Sequence, residues 1–171
     1  MTGRFPDAPS AGQALAPLVA DWLAFDARAV ECAPDAVVLV AIDGDLAQPV
    51  AAATGLPVIL LAVTRATGSD GGLLDVRVAG PSAGEIDALR AARTIIVLDR
   101  GVETGHTAMA VASSLMTWRG DGAARACALV LGVGVCPRQA QPELETAYHA
   151  VIAVHRPIAR RSLRWHYADL S

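Results

Sequence analysis

The chain contains no lysine, so its 14 Lys-plus-Arg positions are all arginine. With the abundant alanine, this reads first as coding bias. Its chemical consequence is that any bound anion must be met by guanidinium groups, backbone N–H groups or hydroxyls. Positive charge is not in excess either: the formal net charge is −3, which gives no global field for a nucleic-acid backbone. No nucleic-acid partner is expected, although Arg156, Arg160, Arg161 and Arg164 cluster near the C-terminus. The three cysteines, Cys32, Cys127 and Cys136, are scattered, with no CxxC pair and no histidine at ligand spacing. They read as buried or inert thiols rather than as metal ligands or nucleophiles. Long apolar runs are lacking as well. Gly, Pro or charge interrupts every stretch before the roughly 18 residues of a membrane span. The start, with Arg4, Asp7 and two prolines before Leu15, lacks the apolar core of a signal peptide. A cytoplasmic location is the default.

What is present is a chain of 171 residues, 53% apolar, enough for one domain spanning 1–171 with a real core. Leu15, Leu18, Val19, Trp22 and Leu23 recur at helical spacing within 11–25, with Pro17 placed near the first turn. The run 36–42, AVVLVAI, is continuous and β-branched, as in a strand buried on both faces. A loop, a short helix and a glycine stop follow. The run 56–64 repeats the buried-strand signal. Residues 65–84 are the most loop-like part, with a short alternating strand at 74–78, and an interruption of that length suits a lid or hairpin.

Ser82 stands three before Glu85, a capping box that opens a helix over 82–92. A third buried strand, 93–99, precedes a helix over 107–118. A strand at 126–135, a short helix over 141–150 and a strand at 151–156 complete the chain. This alternation predicts an α/β fold, a mostly parallel sheet with helices on both faces.

In such a sheet ligands sit beyond the carboxyl ends of the strands, where Asp99 falls. Thr104, Gly105, His106 and Thr107 follow at the start of the next helix. The first N–H groups of a helix lack intrahelical partners and its dipole is positive there, so a phosphate fits without lysine. Gly105 allows close backbone approach, and the Thr104 and Thr107 hydroxyls can donate to phosphate oxygens. Taken singly, Asp99 also suits a loop and either threonine suits a helix cap.

The series IIVL, Asp99-Arg100, Gly101-Val102, Glu103, Thr104-Gly105-His106-Thr107 resembles the phosphoribosyl-pyrophosphate loop of the type I phosphoribosyltransferases. FPDAPSAGQALAPLV near the start and RSLRWHYADL near the end resemble the opening helix and closing segment of the family's stand-alone bacterial domains. The resemblance implies a single-domain sheet with a small hood at about 65–80. It implies Asp99 on the ribose hydroxyls, Thr104 to Thr107 around the 5-phosphate, and Glu103 facing the leaving or entering base. Asp99 and Glu103 are then the catalytic pair, in a transfer through an oxocarbenium-like transition state with magnesium on the diphosphate. The implied partner is a phosphoribosyl compound or a nucleotide, with homodimerisation left open. The alternative function is a non-catalytic sensor or partner subunit whose diphosphate site has decayed.

Three positions depart from that pattern. Arg100 replaces the second acid of the pair. It is expected to turn toward Asp99, Glu103 or a bound phosphate. The loop after the first strand carries Asp43, Gly44 and Asp45, where related domains resemble Pro-Arg-Gly-Gly, and these carboxylates repel a diphosphate unless magnesium lies between them. The hood offers only Arg65 and Arg77 as basic groups, with Arg65 the candidate ligand contact. His106 is a phosphate donor or a solvent-facing side chain, no histidine shows metal spacing, and Trp165 with Tyr167 suggests a closing aromatic patch in the core.

Overall fold

A strand that lies between two others and under helices on both sides has no solvent-facing residue, and Thr94–Gly101 shows this: its first six residues are buried. The computed structural model describes residues 4–26, 36–67, 73–120 and 128–170. Its elements run α1 (Ala8–Asp21), β1 (Val37–Ala41), α2 (Gly44–Thr54), β2 (Val58–Leu60), β3 (Val63–Thr67), β4 (Leu73–Val78), α3 (Ala83–Ala91), β5 (Thr94–Gly101), α4 (His106–Arg119), β6 (Ala128–Val135), α5 (Gln141–Leu144) and β7 (Ala150–His155). Five strands form a parallel sheet in the order β2-β1-β5-β6-β7, and β3 pairs with β4 in a separate antiparallel hairpin.

Side chains alternate across the sheet. Val38, Val40, Ile95, Val97, Leu129 and Leu131 face one way, packed with Leu89 of α3 and with Ala108, Val111 and Leu115 of α4. Val37, Leu39, Ile96, Leu98 and Val130 face the other way, against Leu15 and Val19 of α1 and Leu46 and Val50 of α2. Each buried Val, Leu or Ile contributes about 1.5–3 kcal/mol of transfer free energy. Two faces are needed because the strands carry apolar residues on both. The helices after β1 and β5 thus cross on opposite faces. The sheet order reverses between these strands, and a crevice opens beyond their carboxyl ends.

Several boundaries differ from the sequence reading. The helix expected over 11–25 starts earlier: Asp7 caps it by accepting from Ser10 N–H at 2.8 Å, and Pro17 lies inside it. Pro17 lies on the exposed face, where the carbonyl left without its N–H partner is open to water. The helix continues from Trp22 to Asp26 as a π-helical turn. The expected strand 56–64 is broken. β2 is an edge strand in which only Ile59 is buried, and the chain leaves the sheet at Leu61 to begin the hairpin. Apolar composition alone did not distinguish an edge from a centre.

The hairpin falls in the span expected as a lid or hairpin, with β4 starting at Leu73 rather than 74, while residues 68–72 lie outside the described residues. The Ser82–Glu85 capping box is formed. Cys136 is buried, and burial pushes its thiol upward. Cys32 and Cys127 lie outside the described residues. No helix among the described residues is long and apolar enough to cross a membrane.

Candidate functional site

The carboxyl end of β5 carries Asp99, which is 8% exposed. Its Oδ1 accepts from the Arg100 backbone N–H at 2.8 Å, and its Oδ2 lies 3.9 Å from an Arg65 η-nitrogen. Burial pushes this carboxyl up to about 6, against the pull of Arg65 and of the Arg100 N–H. With a value of about 6 the carboxyl is mostly ionised at neutral pH and accepts hydrogen bonds.

Beyond β5 the chain is tied to β6 by the Val102 N–H to Val135 carbonyl bond of 2.8 Å, then turns through Glu103, Thr104 and Gly105 into α4. Gly105 is the N-cap at φ +93°, a conformation that side chains with a Cβ rarely adopt, and no side chain caps the helix. The 14-residue α4 therefore presents its first amides and the positive end of its dipole to the crevice. Thr107 is not a cap. Its Oγ1 accepts from Arg65 Nε at 2.9 Å. Arg65, 48% exposed in its side chain, thus reaches from β3 to both Asp99 and Thr107. Arg77 instead pairs with Asp75 in solvent. Thr104 Oγ1 lies 3.1 Å from His106 Nδ1, and both residues are exposed at the turn.

Across the crevice, the loop after β1 is engaged by its own helix and by Arg100. Asp43 is the N-cap of α2, its Oδ1 accepting from Leu46 N–H at 3.0 Å, while Gly44 and the exposed Asp45 form the first turn of that helix. Asp43 Oδ2 accepts from Arg100 Nε in an ion pair, and an Arg100 η-nitrogen donates to the Leu170 carbonyl at 2.6 Å. The expectation that Arg100 would turn toward Asp99 or Glu103 is corrected. It lies between the loop after β1 and the C-terminal segment, held by the Asp43 carboxylate and the Leu170 carbonyl.

This loop has no free Asp43 oxygen to offer a divalent ion. Both Asp43 oxygens are engaged, a guanidinium stands where a hard divalent ion requires oxygen ligands, and among the described residues no three His, Cys, Asp or Glu side chains converge.

Glu103 also meets the C-terminal segment, accepting from Leu163 N–H at 2.7 Å. Tyr167 is buried, and its hydroxyl donates to the Arg100 carbonyl at 2.7 Å. This approach is why residue 134 is glycine: a Cβ there would stand 2.2 Å from the Tyr167 hydroxyl oxygen. Trp165, by contrast, is 66% exposed with Arg161 over its ring, so the expected aromatic patch is split between core and surface.

Two supporting residues went unread in the sequence. Tyr148 donates to the Ala108 carbonyl at 2.7 Å beneath the first turn of α4, and the buried Arg119 donates to the carbonyls of Leu89 and Ala92, joining α4 to α3. Neither carries a local signal, because each partner lies 27 or more residues away.

No family model matches the sequence, and no curated protein matches it. Solved structures do match the fold. The TT1426 protein of Thermus thermophilus superposes at a TM-score of 0.62 with 19% identity, over 98% of this chain and 92% of that one. The hypoxanthine-guanine phosphoribosyltransferase of L. donovani gives 0.53 with 15% identity, over 91% and 86%. A hypothetical protein from Neisseria gonorrhoeae with bound ppGpp gives 0.54 with 11% identity, over 88% and 80%. A five-stranded parallel sheet with helices on both faces, matching these structures through most of its length, makes this a type I phosphoribosyltransferase-like fold.

Proposed function

We propose that this protein binds a ribose 5-phosphate compound, either a nucleoside 5-monophosphate or phosphoribosyl pyrophosphate, at the Asp99–Thr107 loop. One observation carries the reading. The uncapped amino end of α4, entered through a left-handed Gly105, lies at the point where the sheet order reverses and beside the buried Asp99. The amides of Glu103 to Thr107 take the phosphate, the Thr107 hydroxyl adds a donor, and Asp99 accepts from the ribose hydroxyls. Arg65, already on Thr107 and near Asp99, supplies the positive charge that lysine does not. The ppGpp in the Neisseria gonorrhoeae structure is in keeping with nucleotide binding on this fold.

The Arg100–Asp43 pair favours ligand binding without transfer, because it fills the loop that a diphosphate would enter. Transfer of the ribosyl-5-phosphate group is the second reading, favoured by Asp99, Glu103 and a hairpin that brings Arg65 over the turn. In that reaction the bond from ribose C1 to pyrophosphate breaks as a nucleophile bonds to C1, and pyrophosphate leaves with the bonding pair. The chain's part is to position the sugar and to face its developing positive charge with Asp99.

Calorimetry with ribose 5-phosphate, a nucleoside 5-monophosphate and phosphoribosyl pyrophosphate, each with and without magnesium, tests both readings. Monophosphate binding indifferent to magnesium supports the binding domain. Tight, magnesium-dependent binding of phosphoribosyl pyrophosphate supports transfer. No binding of any of the three overturns the proposal.

A further inference from the structure

A cleft of about 450 Å³ lies outside the Asp99–Thr107 loop, lined by Arg4, Arg164, Tyr167, Ala168 and Leu170. It adjoins the candidate site, since Leu170 accepts from Arg100 through its carbonyl and Tyr167 donates to the Arg100 carbonyl. Among the described residues that line it, two bear guanidinium groups and none is acidic. Arg4 is held in place by neutral acceptors: Nε donates to the Tyr167 carbonyl at 2.7 Å and an η-nitrogen to the Arg164 carbonyl at 2.7 Å. These bonds fix the position of the charge without cancelling it. The Arg164 side chain is exposed, and no ion pair holds it among the described residues. The cleft volume lies within the roughly 300–1,000 Å³ of small-molecule sites.

We infer that the Arg4–Arg164 cleft is a second anion site of phosphate class, separate from the α4 turn. The presence of two arginines in the lining of one concave surface, with the Arg4 guanidinium anchored by two backbone carbonyls, carries this inference. Arginine forks match phosphate oxygens in pairs. The anion has two conceivable sources with the same chemistry: free pyrophosphate, or a second phosphoryl group on a nucleotide whose 5-phosphate sits at the turn. Only the second source rests on the function proposed above.

The test titrates the full-length protein with inorganic pyrophosphate, adenosine 5′-monophosphate and adenosine 3′,5′-bisphosphate. It uses wild type, Arg164→Gln, Arg4→Gln and Thr107→Val. Arg164→Gln should weaken pyrophosphate or bisphosphate binding at least tenfold while leaving the monophosphate unchanged, and Thr107→Val should weaken the monophosphate. Loss confined to pyrophosphate identifies the free anion, and loss confined to the bisphosphate identifies the second phosphoryl group. Arg164 contributes only its backbone carbonyl to the fold described here, so its variant reports on binding even where Arg4→Gln unfolds. Pyrophosphate and bisphosphate affinities unchanged in Arg164→Gln overturn the second site. Should ribose 5-phosphate, the monophosphate and phosphoribosyl pyrophosphate all fail to bind, the proposed function is overturned and an Arg164-dependent pyrophosphate site is left standing.

Discussion

Arg100, at the end of β5, donates to the carboxylate of Asp43, which at the same time caps α2 at the end of β1. One ion pair therefore spans the two strands between which the sheet order reverses, with side chains 22% and 10% exposed. Arg100→Gln leaves the Asp43 carboxylate with one partner in a mostly buried position, and the expected cost is about 1–3 kcal/mol in urea unfolding. Asp43→Asn retains an oxygen for the cap, so the double variant should lose less than the sum of the two singles. Strictly additive losses would show that the pair is not coupled. Arg100→Asp sets two carboxylates face to face. Its melting temperature should be lower than that of wild type and should rise on adding magnesium, a rise absent from wild type.

Asp99 imposes a pH dependence of defined sign. Its carboxyl is raised from 3.8 to about 6 in the folded protein, so between these values the native state holds a proton that the unfolded chain has released. Stability from this group is fully present below pH 4, falls as pH rises to 6, and is flat above. The full span amounts to roughly 3 kcal/mol. Asp99→Asn keeps an acceptor for the Arg100 N–H and removes the charge. The difference in unfolding free energy between the variant and wild type should therefore grow from pH 4 to 6 in the variant's favour, while ribose-phosphate binding weakens. A pH-independent difference would contradict the burial assigned to this group.

The contrast between these two acids shows how far the sequence could be read. The placement of Asp99 was legible because its surroundings are local: a buried β-branched strand before it and a Thr-Gly-His-Thr helix start after it. The capping box at Ser82 and Glu85 was legible for the same reason. Asp43 was not, because its partner lies 57 residues away and nothing in DGDL announces an arginine. The break of 56–64 into β2 and β3 was hidden for a related reason. Whether an apolar residue is covered depends on which strand lies beside it, and β2 has a neighbour on one side only. The role of 163–170 as a wall against Glu103 and Arg100 likewise depends on the chain's return to the carboxyl ends of the strands.

Gly105 separates strain from bulk. A Cβ at this position would meet nothing nearer than Leu144 Cδ2 at 3.7 Å, so there is space, but φ is +93°. Gly105→Ala should thus destabilise by about 1–2 kcal/mol through backbone strain. It should weaken phosphate binding further by moving the first amides of α4. Gly105→Asn should cost less, because asparagine tolerates positive φ better. Equal losses for Ala and Asn in thermal melts would indicate crowding rather than strain.

Thr107 distinguishes a phosphate ligand from a residue that merely receives Arg65. In the free protein its hydroxyl accepts from Arg65 Nε at 2.9 Å, and both groups are exposed enough that the bond contributes little to stability. A phosphate at the turn would accept from the hydroxyl and from the released guanidinium together. Thr107→Val removes the first donor and should weaken ribose 5-phosphate binding by about 1–2 kcal/mol, the scale of one hydrogen bond to a charged group, with the melting temperature nearly unchanged. Arg65→Gln removes the second donor and should produce a loss that diminishes with added salt, because a half-exposed charge is screened. Should Thr107→Val lower the melting temperature and leave the affinity intact, the hydroxyl serves only to hold the hairpin to α4, and the phosphate assignment at this side chain fails.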